Sequence, residues 1–288
     1  MQRRPFRHLL ALGFAAAFVA SLVSPLSVQS ATAASAAAGA QSVAAVTAPK
    51  ARTAFIRALY EDFLGRQPGG AELRYWSDRL AAGAPRSEIV RGFSMSDEYR
   101  RIRIRGAYGS ILGRSPEPGG REHWLNEMRA GRITTDDIER QFFASNEYAQ
   151  KAGTPERCWE QDVPGIWSTG EWPNRQIHET DYFPGSFVRC LYRDLMGRDP
   201  DKNGLIVWSG HSVQYGRQSV VDALWVTPEV ARSRVSDMYA LYLQRSPDAK
   251  GLAAWTDFIR ANGDTVTRAV LTESAEYYAL ASKRFPEG

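Results

Sequence analysis

The chain has 288 residues, 43% of them apolar, which is enough to build a sizeable core. Its 36 Lys and Arg face 32 Asp and Glu, and the first 33 residues hold three Arg and no acid, so the remainder carries 33 basic against 32 acidic groups. That balance argues against nucleic acid or anionic lipid as a partner, because both call for a basic surface.

The N-terminus has the three parts of a secretory signal. Arg3, Arg4 and Arg7 precede an uncharged apolar run from Leu9 to Val23, short for a membrane span. Ala31-Thr32-Ala33 supplies a small-x-small cleavage site. Residues 1–33 are therefore expected to direct export, which makes the protein secreted or extracellular. No later apolar stretch is long enough to span a bilayer. Residues 34–51 are rich in Ala and Ser, carry no periodic apolar face and read as a flexible spacer.

From there the sequence repeats itself. Tyr60, Arg66, Pro68 and Trp76 recur as Tyr108, Arg114, Pro116 and Trp124, as Tyr192, Arg198, Pro200 and Trp208, and as Tyr239, Arg245, Pro247 and Trp255. Fixed offsets of this kind mark one supersecondary unit used four times. In the first copy Phe55, Ile56, Leu59, Tyr60, Phe63 and Leu64 fall at helical spacing, and Gly65 and Pro68 end the helix. A second helix carries Leu73, Trp76 and Leu80, and a third Ile89 and Phe93. The class is all-α, with Tyr60, Trp76, Tyr108, Trp124, Tyr192, Trp208, Tyr239 and Trp255 as the structural core of the units. The repeat Arg residues sit near helix C-termini, where the dipole or a neighbouring carboxylate receives them.

Each unit ends on a helix start: Ser96-Asp-Glu98, Ser145-Asn-Glu147, Thr227-Pro-Glu229 and Ser274-Ala-Glu276. In units one and three this start leads straight into the next unit, predicting single helices over 97–112 and 228–243. The expected organisation is two lobes, 52–150 (units 52–96 and 97–150) and 184–284 (units 184–227 and 228–284). Each lobe would be two units fused through a shared helix. Arg100, Arg101, Arg103 and Arg105 fall on the first shared helix and read as a solvated face.

An insertion over 151–183 interrupts the period. Cys158 and Cys190 are the two cysteines of the chain, and in an exported protein they are expected to form one disulfide tying the insertion to unit three. Trp159, Trp167, Trp172 and Tyr182 lie outside the repeat register, among acids and amides suited to hydroxyl groups. They are the candidate ligand-binding residues, with packing of the insertion against the lobes as the alternative.

The pattern Tyr-x-x-x-[Leu/Met]-Gly-Arg-x-Pro-Asp-x-x-Gly-Leu-x-x-Trp, clearest at Gly197–Trp208 and Arg245–Trp255, resembles the repeat of the "domain of unknown function 4214" family. Unit one departs most, with Gly69 and Glu72 where Asp and Gly are usual, and unit four has Gln244 in place of the first Gly. The resemblance implies a tandem helical protein of bacterial export or cell surface, similar to phycobilisome linker domains. It implies no reaction.

Chemistry is thinly supported. Asp199-x-Asp201-x-Asn203-Gly204 opens like a calcium loop but has Gly210 where a bidentate Glu is needed, so a capped turn is preferred and calcium is the weak alternative. His123, His178 and His211 stand alone, no nucleophile elbow or phosphate loop occurs, and Asp136-Asp137 fits a helix start. The expectation is a secreted, non-catalytic helical-repeat protein, an extracellular or envelope interaction scaffold whose partner is an extracellular or envelope protein or a polysaccharide, without a cofactor. A carbohydrate-binding protein using the insertion aromatics is the first alternative. A glycan-acting hydrolase with carboxylates between the lobes is the second.

Overall fold

Every unit opens on an amphipathic helix stopped by a left-handed residue. The computed structural model describes residues 49–154, 157, 158 and 184–288. Helix α1 (Pro49–Leu59) runs on through a π-helical turn, Tyr60–Leu64, and buries Phe55, Ile56, Leu59, Tyr60 and Phe63 along one face. Gly65 then takes φ 65° and its N–H returns to the Glu61 carbonyl. Gly113 and Gly197 do the same in units two and three, whereas unit four forces Gln244 to φ 52°, a conformation that costs an L side chain about 1–2 kcal/mol.

Helices α2 (Gly70–Ala81) and α3 (Arg86–Ser94) complete unit one. Helix α4 (Asp97–Leu112) is the first shared helix, capped by the Ser96 hydroxyl, which accepts from the Tyr99 N–H. Unit two continues with α5 (Pro118–Arg129), α6 (Asp137–Phe143) and α7 (Asn146–Ala152). Unit three is α8 (Pro184–Met196), α9 (Lys202–Tyr215) and α10 (Arg217–Trp225). The second shared helix, α11 (Pro228–Met238), passes through a π turn, Tyr239–Leu243, into unit four. There α12 (Ala249–Glu273) combines two helices across a kink at Gly263, and α13 (Ala275–Arg284) follows from the Ser274 cap. All regular elements among the described residues are helical, as the sequence predicts.

The cores do not follow the expected lobes. One buried cluster joins unit one to unit four, from Phe55, Phe63 and Phe93 to Tyr242, Leu271 and Tyr277. The other joins unit two to unit three, from Tyr108, Leu125 and Phe142 to Phe187, Leu191 and Trp225. The reason is the shared helix. A straight rod of 16 residues spans about 24 Å, so α4 holds Tyr99 in one core and Ile104 to Leu112 in the other. It cannot fold back to let units one and two bury their open faces on each other.

Those faces are closed by a contact that occurs twice. From α7 of unit two, the Tyr148 hydroxyl donates to Asp194 of α8 at 2.8 Å, and Arg157 donates to the same carboxylate at 2.9 Å. From α13 of unit four, Tyr277 donates to Asp62 at 2.6 Å, and Arg284 binds both Asp62 oxygens at 2.9 and 2.8 Å. Asp62 and Asp194 each lie two residues after the repeat Tyr. Units therefore meet in a closed cycle, one to two and three to four through shared helices, two to three and four to one through this Tyr–Asp joint. The Cys158–Cys190 disulfide crosses the first of these joints, between units two and three.

Candidate interaction surface

The repeated residues build the units. In each, the Arg guanidinium lies over its Tyr ring, 4.9, 4.7, 5.3 and 5.0 Å from the centroid for Arg66, Arg114, Arg198 and Arg245. It grips the Glu of the helix-start tetrapeptide with two hydrogen bonds: Glu98 at 2.7 and 2.9 Å, Glu147 at 2.7 and 2.8 Å, Glu229 at 2.6 and 2.6 Å, Glu276 at 2.5 and 3.0 Å. The bond from Arg66 holds the Glu72 carboxyl down at about 2, and the bond from Arg114 does the same to Glu147, at about 2. Trp76, Trp208 and Trp255 lie beside the Tyr hydroxyls of units one, three and four. A side chain at Gly120 would come within 2.5 Å of the Tyr108 hydroxyl, which explains glycine there. The four Trp are half-buried at the rim of the cores, a correction to their expected central place; the Trp76 and Trp124 rings each lie 5.3 Å from a buried Phe ring, tilted and edge-on respectively.

Between the two cores lies a charged hub. Asp136 accepts from Arg268 at 2.8 and 3.2 Å, from Arg103 at 3.2 Å and from the Thr265 hydroxyl at 2.5 Å. Arg103 also pairs with Glu139, and Arg234 pairs with Asp264 and donates to the Trp225 carbonyl at 2.6 Å. Arg103 is thus turned into the hub and is not part of a solvated face. Burial works against ionised Asp136, yet Arg268 and Arg103 hold its carboxyl below the usual range. Burial pushes Glu139 and Asp264 up. The Nε atoms of Arg103 and Arg234, both five residues before a repeat Tyr, are buried without a hydrogen-bond partner among the described residues. The three carboxylates that separate the cores are occupied by three guanidiniums, an arrangement suited to holding structure together.

The outward face of α9 is different. From Asn203 to Gly216 the chain has no Asp, Glu, Lys or Arg, whereas α2 and α5 alternate acids and bases. Ile206, Val207 and Tyr215 are 44%, 53% and 61% exposed. Trp208, His211 and Tyr215 form a row of rings along the same helix, with centroids 5.6 and 4.7 Å apart. Val207, Trp208, His211 and Tyr215, at three- and four-residue spacing, make one apolar and aromatic face, whereas Ile206 is exposed on the opposite side of the helix from Tyr215.

Asp199 is bound by Arg193 at 2.5 and 3.0 Å, and Asp201 caps α9 by accepting from the Gly204 N–H at 2.7 Å. Asn203 is exposed, and no group of three or more His, Cys, Asp or Glu able to hold a metal occurs among the described residues. Trp159, Trp167, Trp172 and Tyr182 lie outside the described residues. No helix among those described is long and apolar enough to cross a membrane. The α9 face escaped the motif reading because its signal is a missing one, the absence of charge from Asn203 to Gly216.

Residues 34–102 match the family described as Domain of unknown function (DUF4214), so the first unit and the start of α4 are similar to that family. No curated protein and no solved structure matches the chain.

Proposed function

We propose that the protein is an exported, non-catalytic helical-repeat module that binds another protein through the outward face of α9. The observation that carries this reading is the exposed Val207 and Tyr215, aligned with His211 on one face of a helix whose counterparts are charged. The repeat signature is occupied in building units, and the hub carboxylates are each engaged by Arg, which leaves this face as the departure in need of an explanation. Export is supported by the signal-like N-terminus and by the Cys158–Cys190 disulfide, a bond that persists in oxidising compartments.

A photo-crosslinking residue placed at Val207 in producing cells tests the binding reading, with the same residue at Glu122 of α5 as comparison. A discrete adduct at Val207, lost on Tyr215→Glu, supports it. No adduct at Val207, or equal labelling at both sites, removes it. The ring row Trp208, His211 and Tyr215 favours a second reading, saccharide stacking. Intrinsic fluorescence titration with cell-wall polysaccharide separates the two, since a protein site leaves Trp208 emission unchanged by sugar.

A further inference from the structure

The joint that closes the cycle, α13 on α1, is built so that it can form between two copies of the chain as well as within one. Its apolar part is Tyr277, Tyr278 and Ala281 of α13 against Phe55, Ile56 and Leu59 of α1, with Phe55 ring centroids 6.0 and 5.3 Å from the two Tyr rings. Its polar part is Asp62 with Tyr277 and Arg284, a contact between residues 215 and 222 apart in sequence. The same joint recurs between units two and three, where Tyr148 meets Asp194. Two units therefore recognise each other by this surface irrespective of the chain that connects them.

The two joints differ in how they are secured. The one between units two and three has the Cys158–Cys190 bond across it. The one between units four and one is held by noncovalent contacts among the described residues. Helix α13 leaves α12 at one residue, Ser274, whose φ is −63° and ψ 156°. Its φ is already helical, so rotation about ψ alone would make α12 and α13 continuous and carry α13 off α1. The bent form is held by the Ser274 hydroxyl, which accepts from the Tyr277 N–H at 3.1 Å. Opening uncovers Phe55, Ile56 and Leu59 on one side and Tyr277 and Tyr278 on the other. The surface complementary to each is carried, uncovered in the same event, by a second open copy.

We propose that the chain forms an exchanged dimer in which each copy's α13 packs on α1 of the other, hinged at Ser274. The test uses two variants of the full-length chain, Asp62→Lys and Arg284→Glu. Each alone has a like-charge clash at its own joint. In an exchanged heterodimer the two substitutions face each other and the two parental residues face each other, so both joints are complementary. The variants are unfolded and refolded together with the disulfide intact, then analysed by size exclusion with light scattering and by thermal melting. An equimolar heterodimer whose melting temperature returns towards that of the parent is the expected result. A mixture that stays monomeric with the two separate melting temperatures overturns the proposal. The unsubstituted chain gives a second reading: refolding over rising protein concentration should yield a growing dimer fraction, raised several-fold by Ser274→Ala. Monomer at every concentration for both proteins overturns it as well.

Discussion

Replacing Asp136 by Ala removes the acceptor on which Arg268, Arg103 and Thr265 converge. The side chains of Arg268 and Asp136 are 6% and 9% exposed, so the guanidinium left behind has little water to turn to. Removing one partner of a buried pair costs about 3–5 kcal/mol, because the other charge stays buried and unpaired. For a folded region of this size 1 kcal/mol shifts the melting temperature by about 2–4 °C, so a fall of about 10 °C is expected. The control is Arg245→Ala. Arg245 and Glu276 make the same kind of two-bonded pair, but their side chains are 41% and 46% exposed, and such a pair contributes about 0–1 kcal/mol. A third protein, Asp136→Leu with Arg268→Met, should recover most of the loss, since it removes both charges and the desolvation they incur. Urea unfolding at neutral pH with the disulfide intact reads all three. If Asp136→Ala costs no more than Arg245→Ala, the hub does not act as a buried pair and the reasoning fails.

Gln244→Gly should stabilise the protein by about 0.5–1 kcal/mol, the relief of a left-handed side-chain residue less the added freedom of glycine in the unfolded chain; an unchanged or lower melting temperature would contradict it. Reduction of Cys158–Cys190, 32 residues apart, should cost about 3–4 kcal/mol in the loop-entropy model. The check is the urea midpoint with and without reductant, with Cys158→Ser/Cys190→Ser as a variant that reductant should not move. In acid, Glu72 and Glu147 are held at about 2 by Arg66 and Arg114. A carboxylate lowered in the folded state contributes fully above its unfolded value, near 4, and loses that contribution as pH falls to the folded value. Stability should therefore decline from about pH 4 to about pH 2, and the slope should be shallower in Glu147→Gln. Glu139 and Asp264 are raised by burial, so they act with the opposite sign and favour folding as pH drops; a flat profile across the acid window would refute the assignment.

The helices and their ends were legible because each is written locally. Apolar spacing marks α1, Ser96 and Thr227 cap the shared helices, and Gly65, Gly113 and Gly197 stop the first helices. What joins to what was not legible. Tyr148 to Asp194 and Tyr277 to Asp62 are long-range pairs whose members look unremarkable in their own segments. The distribution of the core follows from the rigidity of α4, a property of the rod and not of any motif. Arg103 illustrates the same limit: its neighbours Arg100, Arg101 and Arg105 suggest a wet face, and only its position opposite Asp136 and Glu139 turns it inward. The α9 face sits between these cases, visible as a stretch without charge once its exposure is known.

The hub joins equivalent places in two halves of the chain. Glu139 lies six residues before the Ser145 cap and Arg268 six before the Ser274 cap; Asp136 and Thr265 each lie nine before. Asp136 and Thr265 are in direct contact, so in an assembly of two identical halves a carboxylate at this position would confront its own copy, acid against acid. A single polypeptide is free of that constraint, because each member of a facing pair is encoded separately. Carrying both halves on one chain is what allows the Asp136 carboxylate on one side to meet the Thr265 hydroxyl on the other, at a point where symmetry would impose repulsion.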